Sequence, residues 1–354
     1  MPRTAAASSL ARLGEFGLIR RLRAKFGRTG PSVIRGIGDD TAIIRPAPGR
    51  WWLLTTDLLA EGIHFATDTA TYEDIGYRAA VANLSDIAAM GGVPHYLLAS
   101  IAIPSGRSAA DIDRLYRGLM RACRRHRVDL VGGDTSASRH GLLVSIALIG
   151  SVEPGRALTR DAARAGDAIY VTGTLGDALA GLALLSAQRT RGPGSRTLSA
   201  PHRRFLMARH LRPTPRLLAG RLLAMRRVAT AAIDLSDGLS GDLAHICEQS
   251  DVGAEIEAAA LPLSPACRAY AASRRMDPSR LALTGGEDYE LLFTVPPRHE
   301  ATLRRLSGKA GCRFTRIGHI RSKAFGQRLR RPDGTLQRLA VTSYRHFERP
   351  ASTH

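Results

Sequence analysis

Residues 233–243 read IDLSDGLSGDL, three aspartates separated by little more than serine, glycine and leucine, in a chain of formal net charge +20. Carboxylates crowded into so short and polar a segment repel one another and need a counter-charge. A divalent cation is the usual one. The segment therefore requires a fold that brings further oxygen ligands to the same place.

Four other segments have the same character. GIGDD carries Asp39 and Asp40, TTDLL carries Asp57, NLSDIAAMGG carries Asp86 and VGGDTS carries Asp134. Each acid is expected at a strand end or helix turn beside Gly, Ser or Thr. There, backbone N–H groups and hydroxyls can approach a phosphate while the carboxylates hold magnesium. Taken singly, each has a structural explanation: Ser85 or Ser236 before an aspartate reads as a helix N-cap, and GGD as a turn. Five in one chain fit dispersed ligands converging on a metal-bound polyphosphate better. Asp242 follows Asp237 by five positions, which on a helix turns it to another face, so it is left outside the site.

The motifs also exclude. GxxxxGK[ST] does not occur, and the GIG at 36–38 lacks the helix of a dinucleotide fingerprint. His64 has no Ser or Cys partner in a triad arrangement, which leaves it a core or substrate-contact histidine. Among 51 Lys and Arg only Lys25, Lys309 and Lys323 are lysine. The arginines are scattered and aromatics make up 5%, so a solvated basic surface describes them better than a nucleic-acid groove. The four cysteines are far apart and form no CxxC pair, against a disulfide framework or thiol zinc cluster and in keeping with the cytoplasm. LLVSIALIG at 142–150 is too short to span a bilayer.

Periodicity predicts strands at 51–57, 96–103, 142–150, 168–173, 228–234 and 289–295. It predicts helices at 73–90, with Ile75, Ala79, Ala82 and Ile87 near helical spacing, and at 109–126, with Ile112, Leu115, Leu119 and Ala122 on one face. Further helices are expected near 176–187, over 203–225 and from about 237, with an exposed loop over 188–204. SVEPGRALTR marks a boundary. The expected organisation is an N-terminal extension (1–13), an α/β domain (14–150) and an α+β domain (151–354) facing each other across a cleft.

At these residues the chain resembles the thiamine-monophosphate kinases. The stretches that carry the resemblance are GEFGLI (14–19), GIGDD (36–40), TTDLLAEGIHF (55–65), NLSDIAAMGG (83–92) and GGDTS (132–136). They continue with GRALTRDAARAGDAIYVTGTLGDA (155–178), HLRPTPR (210–216), AAIDLSDGLSGDL (231–243) and TGGEDYELLFTV (284–295). The resemblance implies the two-domain aminoimidazole-ribonucleotide synthetase-like fold: a mixed N-terminal sheet with helices on one face, through which the protein forms a homodimer, and a C-terminal α+β domain closing the cleft. It implies magnesium-dependent transfer of phosphate from ATP to thiamine monophosphate. Asp39, Thr55, Thr56, Asp57, Asp86, Asp134, Asp234 and Asp237 would surround several Mg2+ ions. Tyr116, Gly133, Asp134, Arg160 and Ser236 would touch ATP, and His64, Glu287 and Tyr344 the thiamine side. Thr55 stands where serine is frequent, and Leu58 where threonine is. The acceptor phosphate is already an oxyanion, so no protein nucleophile is expected.

Overall fold

The computed structural model describes residues 32–35, 39–47, 49–189 and 198–342. GEFGLI, the GIG before Asp39 and the predicted thiamine contact Tyr344 lie outside the described residues.

The N-terminal half is a six-stranded mixed sheet of β1 (Val33–Arg35), β2 (Ala42–Ala47), β3 (Arg50–Ala60), β4 (Val93–Pro104), β5 (Asp129–Ser138) and β6 (Leu143–Val152). Its order is β1-β2-β3-β6-β4-β5, with β4 and β5 parallel and the other pairs antiparallel. Two helices, α1 (Tyr72–Ala89) and α2 (Ala109–Arg125), cross over between strands. Each begins on a capping box, Thr71 with Asp74 and Ser108 with Asp111, which satisfies the free N–H groups of the first turn.

The two helices touch backbone to backbone. A Cβ on Gly76 would come within 1.9 Å of the Leu115 carbonyl oxygen, and one on Gly118 within 1.8 Å of that of Glu73. Only glycine allows this approach. α1 is buried on nearly every face, as befits a helix enclosed on all sides. Its run of alanines lets sheet, helices and the second half of the chain pack tightly around it.

The second half is a seven-stranded sheet of order β13-β12-β9-β11-β7-β10-β8. Its strands are β7 (Ala168–Thr172), β8 (Ala232–Asp234), β9 (Val252–Glu257), β10 (Leu291–Val295), β11 (Phe314–Ser322), β12 (Gln327–Arg330) and β13 (Leu336–Arg338). The helices are α3 (Asp177–Arg189), α4 (Ala200–Leu211), α5 (Leu217–Arg226), α6 (Leu239–Ser250), α7 (Pro265–Ser273), α8 (Pro278–Thr284) and α9 (Glu300–Ser307). The architecture is α+β in two parts. One continuous apolar cluster joins them, running from Ile75 and Leu84 of α1 to Leu223, Leu291 and Phe293.

Several predicted elements needed correction. The single helix over 203–225 is two, α4 and α5, because Pro213 and Pro215 break the backbone between them. The loop predicted over 188–204 gives way to helix at Ala200, capped by Ser199 with Pro201 in its first turn. The strand over 228–234 shortens to the three residues that find partners on β10. The strand from 289 begins at Leu291, since Tyr289 has φ +50°, which a strand cannot accommodate. The last helix starts at Leu239 and not at 237, after Gly238 at φ +117°. Asp57 and Asp134 sit inside strands instead of at their ends.

Candidate active site

Three elements bring acids together from opposite halves of the chain. Asp86 comes from the last turn of α1, Asp234 ends β8, and Asp40 lies just before β2. One carboxylate oxygen from each falls within 4.8 Å of the other two. Asp57 joins them electrostatically: burial and Asp40 push its carboxyl up to about 6. Asp86 is held well above the usual carboxylate range by burial and by Asp57, Asp234 and Asp40. Asp234 is raised by burial and Asp40. Asp39, beside them, is pushed up to about 7 by burial and by Asp40. Like charges in a desolvated place oppose ionisation, and here they do so together.

The surrounding hydrogen bonds fix these carboxylates in place. Thr55 Oγ1 donates to Asp86 Oδ2. Ser85 Oγ donates to Asp234 Oδ2 at 2.7 Å, linking α1 to the second sheet. Arg160 lays its fork on Asp40, Nε to Oδ2 at 3.1 Å and Nη2 to Oδ1 at 2.8 Å. Its backbone N–H reaches Asp39 Oδ2 at 3.4 Å. Arg160, with Arg35 3.7 Å from Asp39, faces a larger number of buried acids, which leaves a deficit of positive charge. A hard, oxygen-only donor set with such a deficit suits Mg2+.

Other predicted residues are placed differently. Thr56 alternates to the opposite face of β3 from Thr55 and Asp57, and its hydroxyl donates to the Ile146 carbonyl at 2.9 Å. Asp134 is exposed on β5 and accepts from its own neighbour, Thr135 N, at 2.9 Å. Gly133 precedes it on that strand, where a Cβ would meet the Ala99 carbonyl oxygen at 1.9 Å. Tyr116 is half-buried on α2. Asp237 and Ser236 occupy the loop between β8 and α6.

Neither serine is an N-cap. Ser85 is buried inside α1, and the α6 cap is Gly238. Asp242, set aside on helical spacing, reaches back over the first turn to accept from Gly238 N at 3.0 Å and Asp237 N at 3.3 Å. Its carboxyl is raised by burial, Asp237 and Asp234. It thus braces the loop that carries Asp237, behind the ligand group.

Glu287 and His64 meet at a residue that the sequence reading passed over. Arg78, 1% exposed on α1, donates from Nη2 to the His64 carbonyl at 3.1 Å and to Glu287 Oε1. His210 lies 3.3 Å from Arg78 Nη1 and 3.3 Å from Glu287 Oε2. Burial and Arg78 lower its imidazole to about 4, so it stays neutral. The available signal was an arginine in the otherwise small and apolar run YRAAVANL.

The other two acids of the GGEDYE motif are structural. Asp288 accepts from Gly176 N at 2.6 Å and Ala178 N at 3.1 Å, at the start of α3. Glu290, fully buried, accepts from Arg209 Nη2 at 2.7 Å, from the Arg216 guanidinium and from Thr172 Oγ1 at 2.6 Å.

This two-sheet arrangement defines a class. The family models of AIR synthase related protein match in order, the N-terminal domain over residues 38–152 and the C-terminal domain over 164–327. Thiamine-monophosphate kinase of Escherichia coli (strain K12) is 40% identical over 340 residues, covering 95% of this chain and 99% of that one. The enzyme of the same name from Bacillus subtilis (strain 168) is 35% identical over 90% of this chain and 94% of its own. The solved structure of AaThiL complexed with AMPPCP and TMP superposes with a TM-score of 0.81 at 35% identity, covering 95% and 97% of the two chains. Within the AIR synthase related class, this chain belongs to the thiamine-monophosphate kinase family.

Proposed function

We propose that the protein phosphorylates thiamine monophosphate to thiamine diphosphate at the expense of ATP. The observation that carries this reading is the buried group of Asp40, Asp86 and Asp234, assembled from both halves of the chain. The complex of the related AaThiL with AMPPCP, an analogue of ATP, and TMP supports it.

The acceptor phosphate is an oxyanion and needs no general base. What hinders transfer is repulsion between two anions, and the site must neutralise and align them. Asp40, Asp57, Asp86 and Asp234, with Asp39 and Asp237 beside them, are the residues that would hold several Mg2+ ions. Bound there, magnesium would supply charge neutralisation and orient the polyphosphate. Thr55 and Ser85 keep Asp86 and Asp234 in fixed rotamers by donating to them. Arg160 restrains Asp40 and presents positive charge beside the acids. Gly133, Asp134, Tyr116 and Ser236 are assigned to ATP, and His64, Glu287 and Tyr344 to the thiamine side. No residue acts as a nucleophile, and the phosphoryl group passes directly, in line.

We further propose a division into residues 14–150 and 151–354, a homodimer formed through the first sheet, and a cytoplasmic setting. Leu58, Tyr96 and Val131 are large apolar residues exposed on that sheet, and β5 is exposed along almost its whole length. Such a surface favours a partner. All four cysteines are free, and among the described residues no helix is long and apolar enough to cross a membrane.

The test is formation of thiamine diphosphate from ATP and thiamine monophosphate, with Mg2+ and then with excess chelator. ATP hydrolysis indifferent to thiamine monophosphate would refute the reading. With chirally labelled γ-phosphate on ATP, direct transfer gives inversion at phosphorus. Retention would restore a phospho-enzyme.

A further inference from the structure

Arg78 touches two of the residues on the thiamine side and has no part of its own in the transfer. Its Nη2 donates to the main-chain carbonyl of His64 at 3.1 Å and to Glu287 Oε1, and its Nη1 to His210 Nε2 at 3.3 Å. These partners come from three separate places: the turn after β3, the stretch between α8 and β10, and α4. A guanidinium has donors only, so His210 Nε2 accepts and the imidazole proton sits on Nδ1. That Nδ1 faces Glu287 Oε2 from 3.3 Å. Both oxygens of Glu287 are thus approached by donors from inside the protein.

Arg78 is used differently from an arginine that only fastens the fold. Arg216 closes its fork on one fully buried carboxylate, with Nε and Nη2 both donating to Glu290. Arg78 spreads its terminal nitrogens over three groups, and its enclosed Nε bonds to none among the described residues. A buried donor left unpaired costs stability, so this guanidinium is placed to suit its partners and not its own pairing.

Glu287 is the partner with the most freedom. Its side chain is 27% exposed, against 2% for that of Arg78, so water competes for the carboxylate. Its backbone is held at φ +64°, a costly left-handed conformation, with its N–H donating to Ser236 O at 2.7 Å. The backbone thereby fixes where the side chain starts. A long acidic side chain at a half-open place gives up its rotamer freedom only to a specific partner, and Arg78 fixes where it ends.

We infer that Arg78 is a positioning residue for thiamine monophosphate, holding the Glu287 carboxylate in one rotamer beside the turn that carries His64. The inference rests on the function proposed above. A carboxylate fixed in this way meets the amino group or the thiazolium charge of the substrate without first having to be ordered.

The experiment uses the full-length protein and measures kcat and KM for both substrates. Arg78→Met keeps the stem and removes the guanidinium, while Arg78→Lys keeps the charge but serves one partner at a time. Turnover by the unaltered protein tests the function itself, and the ratios between variants test Arg78. Arg78→Met should raise KM for thiamine monophosphate roughly tenfold, with kcat and KM for ATP unchanged, because binding is lost equally in ground and transition states. Arg78→Lys should lie between the two. In a Glu287→Gln background either substitution should add little, since Arg78 acts through a charge that glutamine lacks. An unchanged KM for thiamine monophosphate in Arg78→Met would overturn the inference. So would an equal rise in KM for ATP, or a rise that persists undiminished beside Glu287→Gln, each showing that Arg78 supports the fold at large. Should Arg78→Met not fold, Arg78→Lys decides by the same three criteria.

Discussion

The group of Asp40, Asp86 and Asp234 and the site of Glu290 are both buried and acidic, yet their electrostatics have opposite sign. Around Glu290 two arginines and a threonine converge, and they hold the carboxyl below its usual range despite complete burial. At Asp86 and Asp234 the charges that act most strongly are other aspartates, and both carboxyls are raised. A buried acid with its counter-charges inside the protein is a fastening. A group of buried acids with too few arginines to match it is a receptor for charge from outside. The difference separates structure from function here more sharply than burial or residue type does.

The largest expected effect would come from breaking the aspartate side. Asp234→Asn should reduce thiamine diphosphate formation about 10³-fold or more, since it removes an anionic ligand while keeping the shape. Its Tm should not fall, because relief of like-charge repulsion offsets the change. A variant that kept normal turnover at ordinary Mg2+ would remove Asp234 from the site.

Glu290→Gln tests the other side and should do the reverse. It strands Arg209 and Arg216, and breaking a buried ion pair in this way costs about 3–5 kcal/mol. The drop should appear in urea unfolding. A loss under about 1 kcal/mol would mean that the arginines find other partners.

A cation sharpens the contrast. Mg2+ at a hundred times its Kd should stabilise the protein by about 2.7 kcal/mol through mass action. The same addition should do nothing measurable for Asp86→Asn. Thermal shifts with and without chelator report both.

The smallest effect concerns His210, wedged between Arg78 and Glu287. It titrates near 4 in the fold, lowered by burial and then by Arg78, against about 6.5 in an unfolded chain. The unfolded state therefore takes up a proton between these values that the folded state refuses. This contribution to stability is intact above about pH 6.5 and disappears as pH falls towards 4, on the order of 3 kcal/mol. The difference in stability between His210→Gln and the unaltered protein should change over that interval. A flat difference would show that His210 titrates in the fold as it does in the unfolded chain.

Much of this was legible in the chain. The two crossover helices, the central strands and the acid-bearing segments follow from periodicity and from aspartates set among Gly, Ser and Thr. Local chemistry decides such features, and a single strand or turn of helix displays them. The split of α4 from α5 was also written there, in Pro213 and Pro215, but the apolar spacing on either side obscured it.

The roles inside the motifs were not legible. GGEDYE presents three acids and a tyrosine in adjacent positions, and nothing in the order of letters says which faces a ligand. Glu290 became a fastening because α4 and α5 deliver Arg209 and Arg216 to it from 81 and 74 positions away. Asp40 entered the ligand group, and Thr56 turned away, through strand register and side-chain alternation. Asp242 braces the loop because a carboxylate in the first turn of a helix can reach back to free N–H groups. The residue types and their spacing determined that the chain would gather acids for a cation and a phosphate. Which acids remain uncompensated was decided only in three dimensions, because a carboxylate's charge state depends on neighbours that sequence distance does not reveal.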